Sequence, residues 1–158
     1  MPKDDGFLNV DLEIGARTRA QLAPLIDGLQ GKLFELFCGR IRGIYRAHYE
    51  VSGCGPRNAS DSMRELVTAI EALDASGRRA WDTAALREFN IGVALARGVR
   101  SVELAIDPEV ISRVAAIGER IAFTAYQVAA IPRGRLAKTA SGTAVKRRRT
   151  IGTRRKSA

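Results

Sequence analysis

The sequence predicts an α+β domain, a two-layer sandwich in which helices cover one face of a largely antiparallel sheet of about six strands. Segments that alternate apolar and polar residues, the period of a half-buried strand, are separated by segments with the 3.6-residue period of an amphipathic helix. A chain of 158 residues that is 46% hydrophobic can also bury one good core. We therefore predict a single globular domain over residues 1–131.

The predicted strands follow from alternation. Residues 8 to 14 show it without error, because every second residue is Leu, Val or Ile and the residues between are Asn, Asp and Glu. Gly39 to Arg42 reads as the turn of a hairpin between the second and third strands. The six predicted strands are 8–14, 33–38, 43–51, 89–95, 101–106 and 120–127.

The helix in the middle of the chain has the most distinct pattern. Ser62 followed by Glu65 matches a capping box, which predicts that the helix starts there. Its apolar residues share one helical face: Met63, Leu66, Val67, Ile70 and Leu73. The four predicted helices lie near 19–30, 62–73, 76–85 and 109–117.

The other helix starts are marked as well. Thr18 and Gln21 form a second capping box, although Pro24 favours a regular helix that begins nearer Ala23. Asp74 is a predicted cap for the third helix. Residues 107–109, Asp-Pro-Glu, place a capping carboxylate, a first-turn proline and a first-turn acid at the fourth.

The order of these elements begins as β-α-β-β-α-β, which resembles the ferredoxin-like arrangement. Residues 102–106 repeat the Val-x-Leu-x-Ile pattern of residues 10–14, and each copy precedes a helix and a glycine. This repetition suggests pseudo-symmetry. Such folds carry many unrelated functions, so the topology alone assigns none.

Charge divides the chain into two parts. The chain has 26 basic and 17 acidic residues, and ten of the basic ones, but no acid, lie in residues 133–158. The rest of the chain is nearly neutral. Together with the scarcity of large apolar residues, this predicts a disordered basic tail over residues 132–158.

The tail predicts contact with a polyanion. Lys and Arg neutralise phosphates, so we expect DNA or RNA binding with little sequence preference. An anionic membrane fits less well, because the tail lacks an aromatic or amphipathic anchor. A GC-rich coding background can also make an extension basic without any function. The predicted nucleic-acid-binding residues are Lys146, Arg147, Arg148, Arg149, Arg154, Arg155 and Lys156.

A catalytic hypothesis rests on the polar side of the predicted sheet. If the first and third strands are neighbours, Asp11 and Glu13 lie near His48 and Glu50, and a histidine beside a carboxylate can perform acid–base chemistry. The alternative is a solvated face with cross-strand ion pairs. We favour this alternative, because the chain has no phosphate-binding loop, nucleophile elbow or metalloprotease motif.

The two cysteines and one histidine predict neither a disulfide scaffold nor a metal site, and nothing indicates a cofactor. Cys38 with His48 would supply a thiol and its base, but a buried apolar role for Cys38 is favoured. Cys54, between two glycines, is the more exposed thiol. The sequence also lacks a spanning segment and a secretory signal, so we expect a cytoplasmic protein without membrane insertion.

Two function classes remain. The first is a non-enzymatic interaction module with an unidentified protein partner, in which the tail adds nucleic-acid affinity. The second is a small enzyme that uses the face around His48 and Asp11. Trp81 could anchor a partner, although packing at the edge of the core is favoured. Tyr45, Tyr49 and Tyr126 are likewise interpreted as sheet packing rather than as a base-stacking surface.

Overall fold

The computed structural model describes residues 6–53, 58–96 and 101–128. Cys54 and the predicted basic tail lie outside the described residues. The elements are, in chain order, β1 (Phe7–Ala16), α1 (Arg19–Leu29), β2 (Leu33–Ile41), β3 (Ile44–Val51), α2 (Ala59–Glu71), α3 (Ala75–Asp82), β4 (Leu86–Ala96), α4 (Pro108–Ala116) and β5 (Arg120–Val128).

The strands form one mixed sheet in the order β2-β3-β1-β4-β5. β1 pairs antiparallel with β3 and with β4, β2 pairs antiparallel with β3, and β5 runs parallel to β4. The predicted α+β class is confirmed, but the sheet has five strands in the described part of the chain rather than six. The arrangement of the helices in one layer stays a prediction.

The missing strand is the predicted segment 101–106, which has no regular secondary structure. Its apolar residues are half-buried and the residues between them are exposed, and Leu104 and Ile106 pack against the core. The alternation therefore reflects one-sided burial of an extended segment, without the hydrogen-bonded neighbour that makes a strand. The pseudo-symmetry inferred from this segment is wrong for the same reason.

The hairpin between β2 and β3 turns later than predicted. Both strands continue to Ile41 and Ile44, which pair with each other, and the turn consists of Arg42 and Gly43. These two residues have φ angles of 49° and 85°, the positive values that a tight two-residue hairpin turn requires. The predicted turn at Gly39 to Arg42 was wrong because this turn chemistry lies two residues further on.

The start of α2 also differs from the prediction. Asn58 is the N-cap, and its side chain accepts a 2.8 Å hydrogen bond from the backbone of Asp61. Ser62 lies inside the helix, where its hydroxyl donates to the Asn58 carbonyl. The predicted box with Glu65 was wrong because the helix begins four residues earlier, where Asn58 supplies the cap.

The remaining helix starts agree more closely. The capping box of Thr18 and Gln21 is present, so α1 begins at Arg19 and contains Pro24, contrary to the predicted start near Ala23. Asp74 caps α3 by accepting from the backbone of Gly77.

The fourth helix begins at the predicted proline, but its cap is different. The side chain of Asp107 makes no cap hydrogen bond and instead forms an ion pair with Arg64 of α2. Arg64 also pairs with Asp61, so this arginine links the starts of α2 and α4. The carboxylate expected to cap one helix therefore joins two.

Trp81 of α3 is a core residue, as favoured from the sequence. Its side chain is fully buried, and its indole Nε1 donates a 2.9 Å hydrogen bond to the carbonyl of Ile117 at the end of α4. Arg87 of β4 lies over the ring at 5.8 Å from its centroid. The one tryptophan therefore connects α3, α4 and the sheet. The buried strand residues in the same core cluster include Val10, Leu12, Ile14, Ala47, Tyr49, Phe89 and Ile91.

Candidate functional site: the polar face of the sheet

The candidate catalytic residues lie on the face of the sheet opposite the core, here called the polar face. β1 lies between β3 and β4, so its polar side chains have neighbours on both sides. Glu13 is opposite His48 on one side and Glu88 on the other, while Asp11 is opposite Asn90. The strands that the catalytic hypothesis required to be neighbours are therefore paired.

Glu13 is at the centre of a network on this face. Its carboxylate lies 3.6 Å from a guanidinium nitrogen of Arg46 and 3.8 Å from Nε2 of His48. Asn90 donates to Glu13 at 3.3 Å, and Thr124 donates to Asn90 at 2.7 Å. With partners on β3 and β4, the strands on both sides of β1, this carboxylate is held in place rather than turned toward solvent.

Asp11 has a different environment. Burial raises its pKa first, the negative charges of Glu50 and Glu13 raise it further, and His48 opposes them. Its one side-chain hydrogen bond among the described residues comes from the amide of Asn9 at 2.8 Å. Asp11 therefore takes up a proton more readily than an exposed aspartate.

His48 is held between a carboxylate and a ring. Phe37 packs edge-on against the imidazole, with 5.5 Å between ring centroids. Nε2 is shielded from solvent and has no hydrogen bond of normal geometry in the described part of the chain, although Glu13 is close. A histidine beside a carboxylate can exchange a proton, but these two groups face each other and not an open cleft.

A cavity lies where the start of β1 meets the end of β3. It has a volume of about 220 Å³, and its lining includes Asn9, Glu50, Val51 and Ser62. Glu50 is the one candidate catalytic residue in its lining. The structure thus brings Asp11, Glu13 and His48 together but places only Glu50 at this concave surface.

The hypothesis that Cys38 and His48 act as a thiol and its base is wrong, because the strand register places them on opposite faces of the sheet. Cys38 is opposite Ala47, on the core face, whereas His48 is opposite Phe37, on the polar face. The Cys38 Sγ lies 3.3 Å from the hydroxyl of Tyr45, and the residue is only partly buried. Two residues that looked close in sequence pattern are therefore separated by the thickness of the sheet.

Two groups of polar residues were missed in the sequence. Asn90 and Thr124 could have been found from the alternation of β4 and β5, but only once the strand order was known. Glu119 gave no signal, because it lies in a short turn before β5. Burial raises its pKa to about 8, despite the opposing charge of Arg87. It lines a cavity of about 310 Å³ with Arg87 and Arg120.

Free basic side chains are what nucleic-acid-binding sheets carry, and the described arginines offer them only in part. Several are paired with carboxylates, and Tyr49, one of the three tyrosines, is buried against Glu35. The ion pairs are Arg46–Glu13, Arg64–Asp107, Arg78–Asp82, Arg113–Glu71 and Arg120–Glu88.

Within the described residues, no group of three or more His, Cys, Asp or Glu side chains is placed to hold a metal ion. None of the helices in the described part of the chain is long and apolar enough to cross a membrane. Comparison of the chain with protein-family models, curated proteins and solved structures finds no match.

The charge of Glu50 should be visible in the titration of Asp11. We expect Glu50→Gln to lower the pKa of Asp11, because it removes the negative charge that opposes the ionisation of Asp11 most strongly. The measurement is a carboxyl-carbon NMR titration of both proteins. Glu65→Gln, an exposed change on α2, is the matched control and should leave the titration unchanged. An equal midpoint for Asp11 in all three proteins would contradict the described geometry.

Proposed function

We propose that the protein is a non-enzymatic interaction module, in which the folded domain binds a protein partner and the basic tail, residues 132–158, adds nonspecific affinity for nucleic acid. The observation that carries this proposal is the division of charge. The excess positive charge lies in the tail, whereas the rest of the chain is nearly neutral and several of its arginines are paired with carboxylates.

This division assigns each part its own kind of partner. Nonspecific nucleic-acid affinity depends on cations that are free to replace the counterions of phosphates. An arginine that already faces Glu71 or Asp107 is a poor replacement, while ten tail cations without a nearby acid in sequence are suited to it. Nucleic acid therefore belongs to the tail, and the domain is left for protein contact.

A protein contact is supported by apolar side chains on the domain surface. Phe34, Leu36 and Phe37 of the edge strand β2 are 55%, 45% and 38% exposed. Three large apolar residues on one strand are more than scattered surface exposure, and aromatic residues are enriched at protein interfaces.

The tail is tested with fluorescence anisotropy of labelled duplex and single-stranded DNA. In one full-length variant, Gln replaces the seven residues of the two tail clusters, 146–149 and 154–156. We expect the native chain to bind both DNAs, with affinity that falls steeply as salt is raised. The variant should bind at least about 100-fold more weakly at low salt, because it loses most of its phosphate contacts.

The control variant carries Arg17→Gln and Arg79→Gln, two exposed positions of the domain. It should bind DNA nearly as well as the native chain. An equal loss of DNA affinity in both variants would show that total charge matters and not the tail. Absence of DNA binding by the native chain would contradict the nucleic-acid part of the proposal.

A second candidate, a small enzyme on the polar face, is favoured by one arrangement. His48 lies 3.8 Å from Glu13, and the pKa of Asp11 is raised, so a proton acceptor and a proton donor lie close together. Such a pair suits hydrolysis by general acid–base catalysis.

This candidate is tested with His48→Ala on a panel of ester, phosphoester and glycoside substrates between about pH 5 and 8, the range in which histidine titrates. If the face is catalytic, the native chain has an activity that His48→Ala removes without a loss of stability. Cys38→Ala, a change on the opposite face, should retain it. Activity that survives His48→Ala would remove the best general base.

A further inference from the structure

The strand β2 leaves one edge of the sheet open. It is the first strand in the sheet order, so its outer backbone groups have no strand partner in the described part of the chain. It contains neither Lys nor Pro, the residues that commonly protect such edges. An open edge of this kind is a template for a further strand, which would extend the sheet by backbone hydrogen bonds.

We infer that the strand received by this edge is β2 of a second copy of the chain, paired antiparallel about a two-fold axis at Cys38. The inference rests on one part of the proposed function, namely that the domain binds a protein. It identifies that protein as a second copy of the chain. The argument depends on which face each residue of β2 occupies and on the positions of its two charges.

The faces of β2 follow from its pairing with β3. Glu35, Cys38 and Arg40 are opposite core-face residues of β3, and the intervening residues are opposite polar-face residues. Leu36 is the extra residue of a bulge between Glu35 and Phe37, so it takes no place in the register.

Antiparallel pairing requires opposed residues to share a face. With Leu36 left out of the count, a two-fold axis at Cys38 meets this requirement along the strand. It sets Phe37 opposite the partner's Gly39, Phe34 opposite the partner's Ile41, and Glu35 opposite the partner's Arg40. The bulge is what makes this register face-matched, because it restores the alternation on both sides of the axis.

The charges then select a second copy as the occupant. Glu35 and Arg40 are both exposed, and they are the only charged residues of β2. The proposed register places each beside its opposite in the partner, which gives two ion pairs from one strand sequence. A strand of unrelated sequence would have to reproduce this spacing, whereas the reversed strand of the same chain carries it by symmetry.

Apolar contact accompanies the ion pairs. Phe34 is more than half exposed, and it gains Ile41 of the partner subunit as a neighbour. Phe37 lies against its own Gly39, where a β-carbon would come within 2.8 Å of the ring. In the proposed register each Phe37 is also opposite the partner's Gly39, so glycine leaves room for both rings. The result is a continuous sheet of ten strands in which the exposed aromatic residues of β2 gain neighbours from the partner.

The test is sedimentation equilibrium of the full chain and of its charge variants. The native chain is expected to associate to a dimer as concentration rises. Glu35→Arg alone and Arg40→Glu alone should each weaken the dimer at least about tenfold, because each places like charges opposite one another. The double variant E35R/R40E restores opposite charges and should return to within about threefold of the native affinity. A mixture of the two single variants should form a heterodimer.

A short bismaleimide reagent supplies a second measurement. In a Cys54→Ser background, Cys38 should be cross-linked to Cys38 of the partner subunit, and Cys38→Ser should abolish the product. A chain that stays monomeric at all concentrations overturns the inference. A dimer affinity that neither charge reversal changes overturns it as well. Neither measurement involves DNA, so failure here is separate from failure of the tail to bind nucleic acid.

Discussion

Replacing Trp81 by Ala is expected to lower the free energy of unfolding by about 3–5 kcal/mol. The indole is fully buried, so the change leaves a large cavity between α3, α4 and the sheet. It also removes the donor to the Ile117 carbonyl and the ring beneath Arg87. The measurement is urea unfolding followed by far-ultraviolet circular dichroism, because Trp81 is the only tryptophan and its fluorescence is lost.

Two further variants test whether the loss of stability comes from the buried position of Trp81. Trp81→Phe keeps an aromatic ring but loses the hydrogen bond, so we expect a loss of about 1–3 kcal/mol, which also serves if Trp81→Ala does not fold. Phe123→Ala is the matched control, because that ring is 62% exposed, and it should cost less than about 0.5 kcal/mol. A loss for Trp81→Ala as small as that for Phe123→Ala would contradict the buried position.

Glu119 should make the protein less stable as the pH rises from about 4.5 to about 8. Burial raises the folded-state pKa of this carboxyl to about 8, from an ordinary value of 4.5. Between these values the folded chain binds the proton and the unfolded chain does not, so the stability present below 4.5 is lost as the pH rises through the folded pKa.

Glu119→Gln is therefore expected to raise the free energy of unfolding at about pH 8, by an amount on the order of 3 kcal/mol, with little change near pH 4.5. The measurement is urea unfolding across this range. Both carboxylate oxygens are shielded from solvent without a hydrogen bond of normal geometry, although the backbone of Arg120 is near enough to lower the pKa slightly. Glu65→Gln, at an exposed position, should follow the native pH profile. A native profile that is flat over the range would mean that Glu119 is solvated.

Much of the fold follows from local sequence signals. Strand β1 was predicted because its alternation is complete, and the capping box at Thr18 and Gln21 satisfies two backbone donors with two neighbouring side chains. The failures have physical causes. Alternation at 101–106 could not reveal that no strand lies beside it, and the cap at Asn58 depends on a hydrogen bond that competes with the equally plausible pattern at Ser62.

Only those residues of the candidate site that lie on strands with a clear alternation of apolar and polar residues could be predicted. The polar residues of β1 and β3 could be placed on one face because each strand was recognised, and the structure pairs those strands. Asn90 became visible only through the pairing of β1 with β4. Glu119 could not be found, because its pKa depends on burial by residues distant in sequence, and periodicity contains no information on such contacts.

The central position of β1 also governs the order in which the chain can fold. One edge of β1 is completed by β3, but the other must wait for β4, and Asp11 pairs with Asn90, 79 residues later. At a synthesis rate of about 5–20 residues per second, this edge stays open for roughly 4–16 seconds on the ribosome.

During that interval the β4-side edge of β1 is unpaired in a crowded cell. Its alternate residues Asn9, Asp11 and Glu13 place polar and negatively charged groups along the waiting strand. Such residues act as gatekeepers, since repulsion between like charges opposes pairing with the same strand of another nascent chain. We therefore expect the acidic side chains of β1 to disfavour misassembly of the growing polypeptide before they take their places in the finished sheet.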